Sequence, residues 1–440
     1  MNFKKAILFV VLSFALLMCK RKDEAVSTDP NAQLVFSSSE IRYDTVFAGL
    51  SYPAKSIKVY NRNSEALVID EVYLAGGVAS PYTILVNGQY GPVVTGLELM
   101  GGDSMVIYVD LKLVNQSTST PYIVEDFINF RFNGNQQQIA LKAVGNDAIL
   151  VEPGDLHCAQ VWDNQMPIIL KGKTVVSAGC TLTVDKGTQV YVMQGSSLDI
   201  KGTLFVNGTK LEPAYLGKLV SGKVAGAWLG MQFYEGSSGS VLSWLTLTNA
   251  ETGISFVSPS ATALVDIGLN HAVLLDFTKH ALDLSFVSLT ASNCLFIASA
   301  KNLTAFSQTG DYVFEHCTWA GYSYDYFREG PCIKTSNSDG SLSLKIKHSI
   351  VWGDKAEEFD IGPNALVTID SAVIKTLRVI AGLGQLVNQD PLFSSPVNRN
   401  FELAASSPAV NVGLPTLVAD DLKGLTRDLL PDMGCYELVP

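Results

Sequence analysis

The chain has 440 residues, 47% of them hydrophobic and 17% charged, with a formal net charge of −11. That apolar content rules out disorder for most of the chain, and the length suggests two or three domains. The acidity argues against nucleic acid, because neutralising phosphates needs a concentrated basic face and the sequence shows none.

The N-terminus reads as an address. Lys4 and Lys5 precede a short apolar run, Ala6 to Met18, that is too short to span a bilayer. It ends at Leu16-Leu17-Met18-Cys19, and Lys20-Arg21-Lys22-Asp23-Glu24 comes next. Cleavage before Cys19 removes both lysines and takes the net charge to −13. The expected order is a leader (1–18), a polar tether (19–31), and a first domain from 32 to 146.

In that first domain, strands are predicted at Leu34–Phe36, Ile41–Phe47, Ser56–Tyr60, Leu67–Leu74, Tyr82–Val86, Ser104–Leu113, Phe127–Phe132 and Gln138–Val144. Gly, Pro, Asn and Ser separate them and no helical period intervenes, a pattern expected of an Ig-like β-sandwich. The domain has no cysteine, so no disulfide joins its sheets. Its expected job is to space and orient the next domain.

From Lys171 to Thr209 the pattern changes. Five short bursts alternate in and out: Thr174–Val176, Thr181–Val184, Gln189–Val192, Ser197–Ile200 and Thr203–Val206. A step of 22 residues joins Val176 to Leu198, Leu182 to Leu204 and Val184 to Val206. Strands too short to bury a face alone, repeating at a fixed period, predict a stacked solenoid of three strands per turn. The same step joins Ile267 to Leu289 and Leu275 to Ile297, while Cys294 to Cys317 takes 23. Roughly eleven turns fit between 148 and 403 at this period. Lys210 to Ala227 departs from it and is expected to be an excursion.

Six cysteines come after Cys19. The pairs Cys158/Cys180 and Cys294/Cys317 are each spaced to stack in adjacent turns, as apolar ladders or as a bridge, with ladders expected. No C-x-x-C or His/Cys cluster has zinc-ligand spacing, and the side chains of His316 and Cys317 are expected on opposite faces of a strand. No metal or cofactor is expected.

Catalysis on polysaccharides needs converging carboxylates, or a basic residue beside a bound cation. In a solenoid these would recur on successive turns. No such acidic ladder appears, so no catalytic residue is assigned; Asn337-Ser338-Asp339-Gly340 reads as a turn. The densest charge group is Asp420, Asp421, Arg427, Asp432 and Glu437. It falls in a C-terminal segment (404–440) expected to cap the last open turn. The best binding candidate is the aromatic run from Trp319 to Pro331. Trp319, Tyr322, Tyr324, Tyr326 and Arg328 are expected to line a glycan-contact surface, since Tyr and Trp join a flat apolar face to a polar tip. Covering the solenoid flank is the alternative use of the same rings.

Several segments also resemble a known family. The runs TLTVDKGTQVYV…LDIKGTLFVNGT, AWLGMQFYEGSSGSVLSWLTLTNAETGI and YVFEHCTWAGYS are similar to right-handed parallel β-helix lipoproteins of Bacteroidetes, within the pectate-lyase-like superfamily. Asp390-Pro391-Leu392-Phe393, Asn400-Phe401-Glu402-Leu403, Ser406 to Asn411 and Pro431 to Glu437 resemble the "choice-of-anchor Q" ending. Leu16 to Cys19 resembles a lipobox, which implies acylation of Cys19. The charged run behind it resembles a surface-export signal, and Asp44-Thr45-Val46 resembles an O-glycosylation site of that group. The resemblance implies an all-β chain: an Ig-like sandwich, then a right-handed parallel β-helix solenoid, held at the outer membrane and exposed on the cell surface or facing the periplasm. The expected function is non-catalytic glycan or surface binding and adhesion, with a polysaccharide or cell-surface partner and the membrane reached only through lipid. A polysaccharide lyase or glycoside hydrolase, and a structural envelope component, are the alternatives.

Overall fold

A computed structural model describes residues 25–219, 225–257, 263–336 and 341–438. The leader, Cys19, the charged run behind it and the 337–340 turn lie outside the described residues. The chain divides into two compact units, Met1–Asp147 and Ala148–Pro440.

The first unit is two five-stranded sheets. One orders Leu34–Phe36, Lys55–Asn61, Ser104–Leu111, Tyr82–Val86 and Gln89–Gly91, all antiparallel. The other orders Glu40–Phe47, Asn135–Asn146, Tyr122–Phe132, Leu67–Leu74 and Val93–Leu99, its first pair parallel. Alternate residues such as Val59, Ile69, Ile84, Ile107, Phe130 and Ile139 are fully buried between them. Two strands escaped the sequence analysis. Gln89–Gly91 is too short to show a period, and Gly96 interrupts Val93–Leu99 with a left-handed φ of 66°. The buried Asn61 amide donates to the carbonyls of Glu65, Leu99 and Met100. One polar side chain thus serves three backbone acceptors, of which the buried Leu99 carbonyl would otherwise be cut off from water.

The second unit is a parallel β-helix. Strands three apart in sequence pair in parallel, forming sheets of eleven, nine and nine strands. The pairings Leu182 with Leu204 and Val184 with Val206 hold as expected, as do Ile267 with Leu289 and Leu275 with Ile297. Val176 pairs with Ile200 instead of Leu198, because the turn into the next sheet is two residues longer there. Among the described residues there are nine complete turns, fewer than the eleven that a strict period gives. The later turns spend more chain: His316 and His348 occupy equivalent places 32 residues apart. Nor is Lys210 to Ala227 an excursion throughout, since Ala214–Lys218 is a regular strand of the first sheet. Inside, Leu182, Leu204, Leu242, Leu269, Phe296, Phe314 and Leu344 belong to one continuous core. Each such side chain contributes about 1.5–3 kcal/mol on burial.

The third sheet turns into the first sheet of the next coil through a single left-handed residue. Trp244, His271, Asn293, His316, His348 and Ser371 all have φ between 47° and 52° and form a column up one edge. A side chain at such a φ costs about 1–2 kcal/mol. Each N–H offsets part of that cost by reaching one coil on, as from His271 to Ser292 O, His316 to Lys347 O and His348 to Asp370 O. His316 therefore stands in a turn, not in a strand opposite Cys317.

Cys158 and Cys180 are joined by a disulfide across the first two turns, with Cα atoms 4.6 Å apart. This corrects the ladder expected there: the two turns ahead of their strands bring equivalent Cβ atoms face to face. Cys294, Cys317, Cys332 and Cys435 are free and buried.

The C-terminal segment does not cap the last turn. It doubles back as a strap along the outer face of the first sheet. Leu295, Ile297, Ile350, Trp352 and Val373 point outward there and pack against Phe393, Phe401, Leu403, Leu422 and Met433. The solenoid's own apolar flank draws the tail sideways. The last turn, meanwhile, leaves Leu377, Val379 and Leu383 exposed.

Candidate functional site

The aromatic run leaves the first sheet after Thr318–Gly321 and joins the second sheet at Ile333–Ser336. Its residues divide by depth. Trp319 is fully buried, stacked on Phe296 at 5.1 Å, with Nε1 donating to Thr304 Oγ1. Arg328 is buried as well, 1% exposed. Its Nη2 donates to Glu358 Oε1 at 2.7 Å and to the Gly321 carbonyl, and its Nη1 to the Gly330 carbonyl. Glu358 also accepts the Cys332 and Lys355 N–H groups. Neither residue faces a ligand, contrary to expectation. Strand alternation turns Trp319 into the core, and the loop folds back over Arg328 to pair it with Glu358.

The three tyrosines are half-buried; Tyr322 and Tyr324 meet the strap, and Tyr326 bonds to the first sheet. Tyr326 donates to Ala298 O at 2.6 Å and Tyr324 to Pro396 O at 2.7 Å. The Arg399 guanidinium lies over the Tyr324 ring at 4.6 Å and is held by Asp276 and Asp325. Burial pushes the Tyr324 hydroxyl up to about 12 despite that cation. Tyr322 stacks on Phe401 at 5.8 Å and meets Phe393 edge-on. Burial, then the charges of Asp390 and Asp354, push its hydroxyl well above the ordinary phenol range.

Loop and strap together wall a cleft of about 540 Å³. Its lining includes Tyr322, Tyr324, Asp354, Asp390, Phe393 and Val397. Asp354 accepts the Ser323 N–H and Asp390 the Leu392 N–H. The structure thus brings Tyr322 and Tyr324 into one cleft and leaves Trp319, Tyr326 and Arg328 out of its lining. Asp354, Asp390 and Val397 come from later turns and the strap. Only their placement by the strap, which the sequence read as an end cap, could have singled them out.

The strap is fastened along the left-handed column. Arg427 reaches Asn293 Oδ1 at 2.9 Å, the Gly434 and Asp420 carbonyls, and Glu437 Oε2 at 3.0 Å. Asp420 also faces His271 Nε2 at 3.2 Å, and Thr416 donates to Glu315 at 2.6 Å. The charged tail group is a set of ties, as a salt-bridged role requires, at the flank in place of the end. A second consequence was not visible in the spacing: Glu315, His316 and His348 converge there, their donor atoms within 4.8 Å of one another.

The second sheet carries an outward row running Val175, Asp199, Gln232, Ser255, Asp283, Ala305, Lys334 and Asp360. Asp199 is saturated by Lys173, Ser197 and Tyr234. Among the described residues no two acids adjoin in that row, so no carboxylate ladder forms.

No family model and no curated protein matches the chain. Solved structures that match include two with little likeness. The E. coli chaperone DraB matches at 11% identity over 28% of this chain, with a TM-score of 0.18, and the chain spans 55% of that protein's length. The catalytic unit of a thermostable GH87 α-1,3-glucanase from Streptomyces thermodiastaticus matches at 10% identity over 72% of this chain and 79% of its own, with a TM-score of 0.15. At these scores neither carries an argument.

Proposed function

We propose that this chain is an exported, lipid-anchored envelope protein of the Bacteroidetes β-helix type that binds a glycan, without catalysis, in the cleft between the aromatic loop and the strap. In this reading acylated Cys19 holds the protein at the outer membrane, the sandwich acts as a spacer, and the β-helix presents the site to a polysaccharide or cell-surface partner. The observation that carries the binding proposal is the makeup of the cleft. Tyrosine faces stand beside two carboxylates, Asp354 and Asp390, and no residue described donates to or accepts from the Tyr322 hydroxyl. Flat apolar faces suit the C–H side of a pyranose, and carboxylates with a free hydroxyl suit its ring of O–H groups.

The test is a glycan array probed with the full chain and with Tyr322→Phe and Asp390→Asn. Each removes a polar contact while keeping shape, so binding should weaken about 3- to 10-fold per neutral hydrogen bond, with melting unchanged. Array binding that both variants retain in full would overturn the proposal. Asp354 and Asp390 sharing one cleft also favours a second reading, a glycoside hydrolase using both acids. Release of reducing ends from the bound glycan, abolished by Asp390→Asn, would establish it over the non-catalytic one.

A further inference from the structure

The column of left-handed turns puts three donors together beneath the strap. His348 Nδ1 lies 3.4 Å from Glu315 Oε1, and a nitrogen of His316 completes a group spanning no more than 4.8 Å. His316 is 0% exposed, and neither of its ring nitrogens has a hydrogen-bond partner; His348 Nδ1 has none either. Leaving a buried polar group unsatisfied costs about 1–3 kcal/mol. Such an orphan in a native fold calls for an explanation, and an ion is one.

We infer that Glu315, His316 and His348 bind one zinc ion that fastens the strap to two adjacent turns of the solenoid. Two neutral imidazoles and a carboxylate form a nitrogen–oxygen donor set that suits this metal. Bonds of about 2.0–2.2 Å in a tetrahedron set donor atoms about 3.4 Å apart. Glu315 and His348 already stand at that separation. The two imidazoles stack with centroids 4.9 Å apart, so ligation tilts the His316 ring off its neighbour by about 1 Å at the nitrogen. Water or the Thr416 hydroxyl, which already donates to Glu315, takes the fourth position. The strap is bound in through that hydroxyl and through Gly434, whose N–H donates to His348 O at 2.7 Å. The nearby Arg427 cation is matched by Glu437 at 3.0 Å, which reduces its repulsion of a metal.

The test uses the full chain, purified without a histidine tag, and Zn²⁺ and Co²⁺ as probes. The wild type should hold one zinc per chain after desalting, and Co²⁺ in its place should give the visible absorption of a tetrahedral site. EDTA should lower the melting temperature and Zn²⁺ restore it. His316→Asn puts into the turn the residue that position 293 already carries, so it keeps the fold. It and His348→Gln should lose the metal and the melting response, while His157→Gln, at an exposed histidine, should keep both. Zinc well below one per chain with no melting response to Zn²⁺, or full binding by both column variants, would overturn the inference.

Discussion

Replacing Arg328 by Met separates a contact role from a structural one. The guanidinium is 1% exposed and makes one charged and two carbonyl hydrogen bonds, so Met leaves Glu358 buried at 0% exposure without its cation. Removing one partner of a buried ion pair costs about 3–5 kcal/mol. At about 2 °C per kcal/mol for a unit of this size, melting should fall by about 6–10 °C. Arg328→Lys keeps the charge but not the fork that reaches Glu358, Gly321 and Gly330 together, so it should fall in between. Calorimetry of the full chain gives the shift, and binding below the lowered transition gives the second readout, which should match wild type. A variant that melts normally but loses glycan binding would refute the burial argument and return Arg328 to the ligand surface.

The same contacts set further outcomes. Peptide mapping without reductant should find Cys158 linked to Cys180. Opening that 22-residue loop with Cys158→Ser and Cys180→Ser should cost about 3 kcal/mol by denaturant unfolding. Burial holds His271 below its ordinary value of 6.5. The unfolded chain therefore takes up its proton first, and stability is lost as pH falls below about 6.5. His271→Asn should flatten that limb of a melting-versus-pH curve, and an unchanged limb would exclude His271 as its source. Arg427→Met strips the strap of its ties to Asn293 and Glu437, so limited proteolysis should cut within 404–438 well before the solenoid.

The solenoid was legible because its rule is local: Leu182 to Leu204 and Ile267 to Leu289 repeat a spacing that backbone pairing then enforces. What escaped was set by surfaces the period does not report. The outward Leu295, Ile297 and Trp352 decide that the tail lies along the flank, and nothing near Asp420 or Arg427 in sequence says so. The aromatic run showed that rings were present but not which way each would turn. Alternation sent Trp319 inward, and Glu358, thirty residues on, drew Arg328 under the loop. Glu315, His316 and His348 were invisible as a cluster because a 32-residue turn separates the histidines while the stack places them in contact.

Hydrogen exchange of the full chain, with and without the best glycan from the array, tests the placement of the site most directly. Protection confined to peptides covering 322–330 and 388–399 is the expected result. Protection on the second sheet or in the sandwich, with those peptides unchanged, would contradict it.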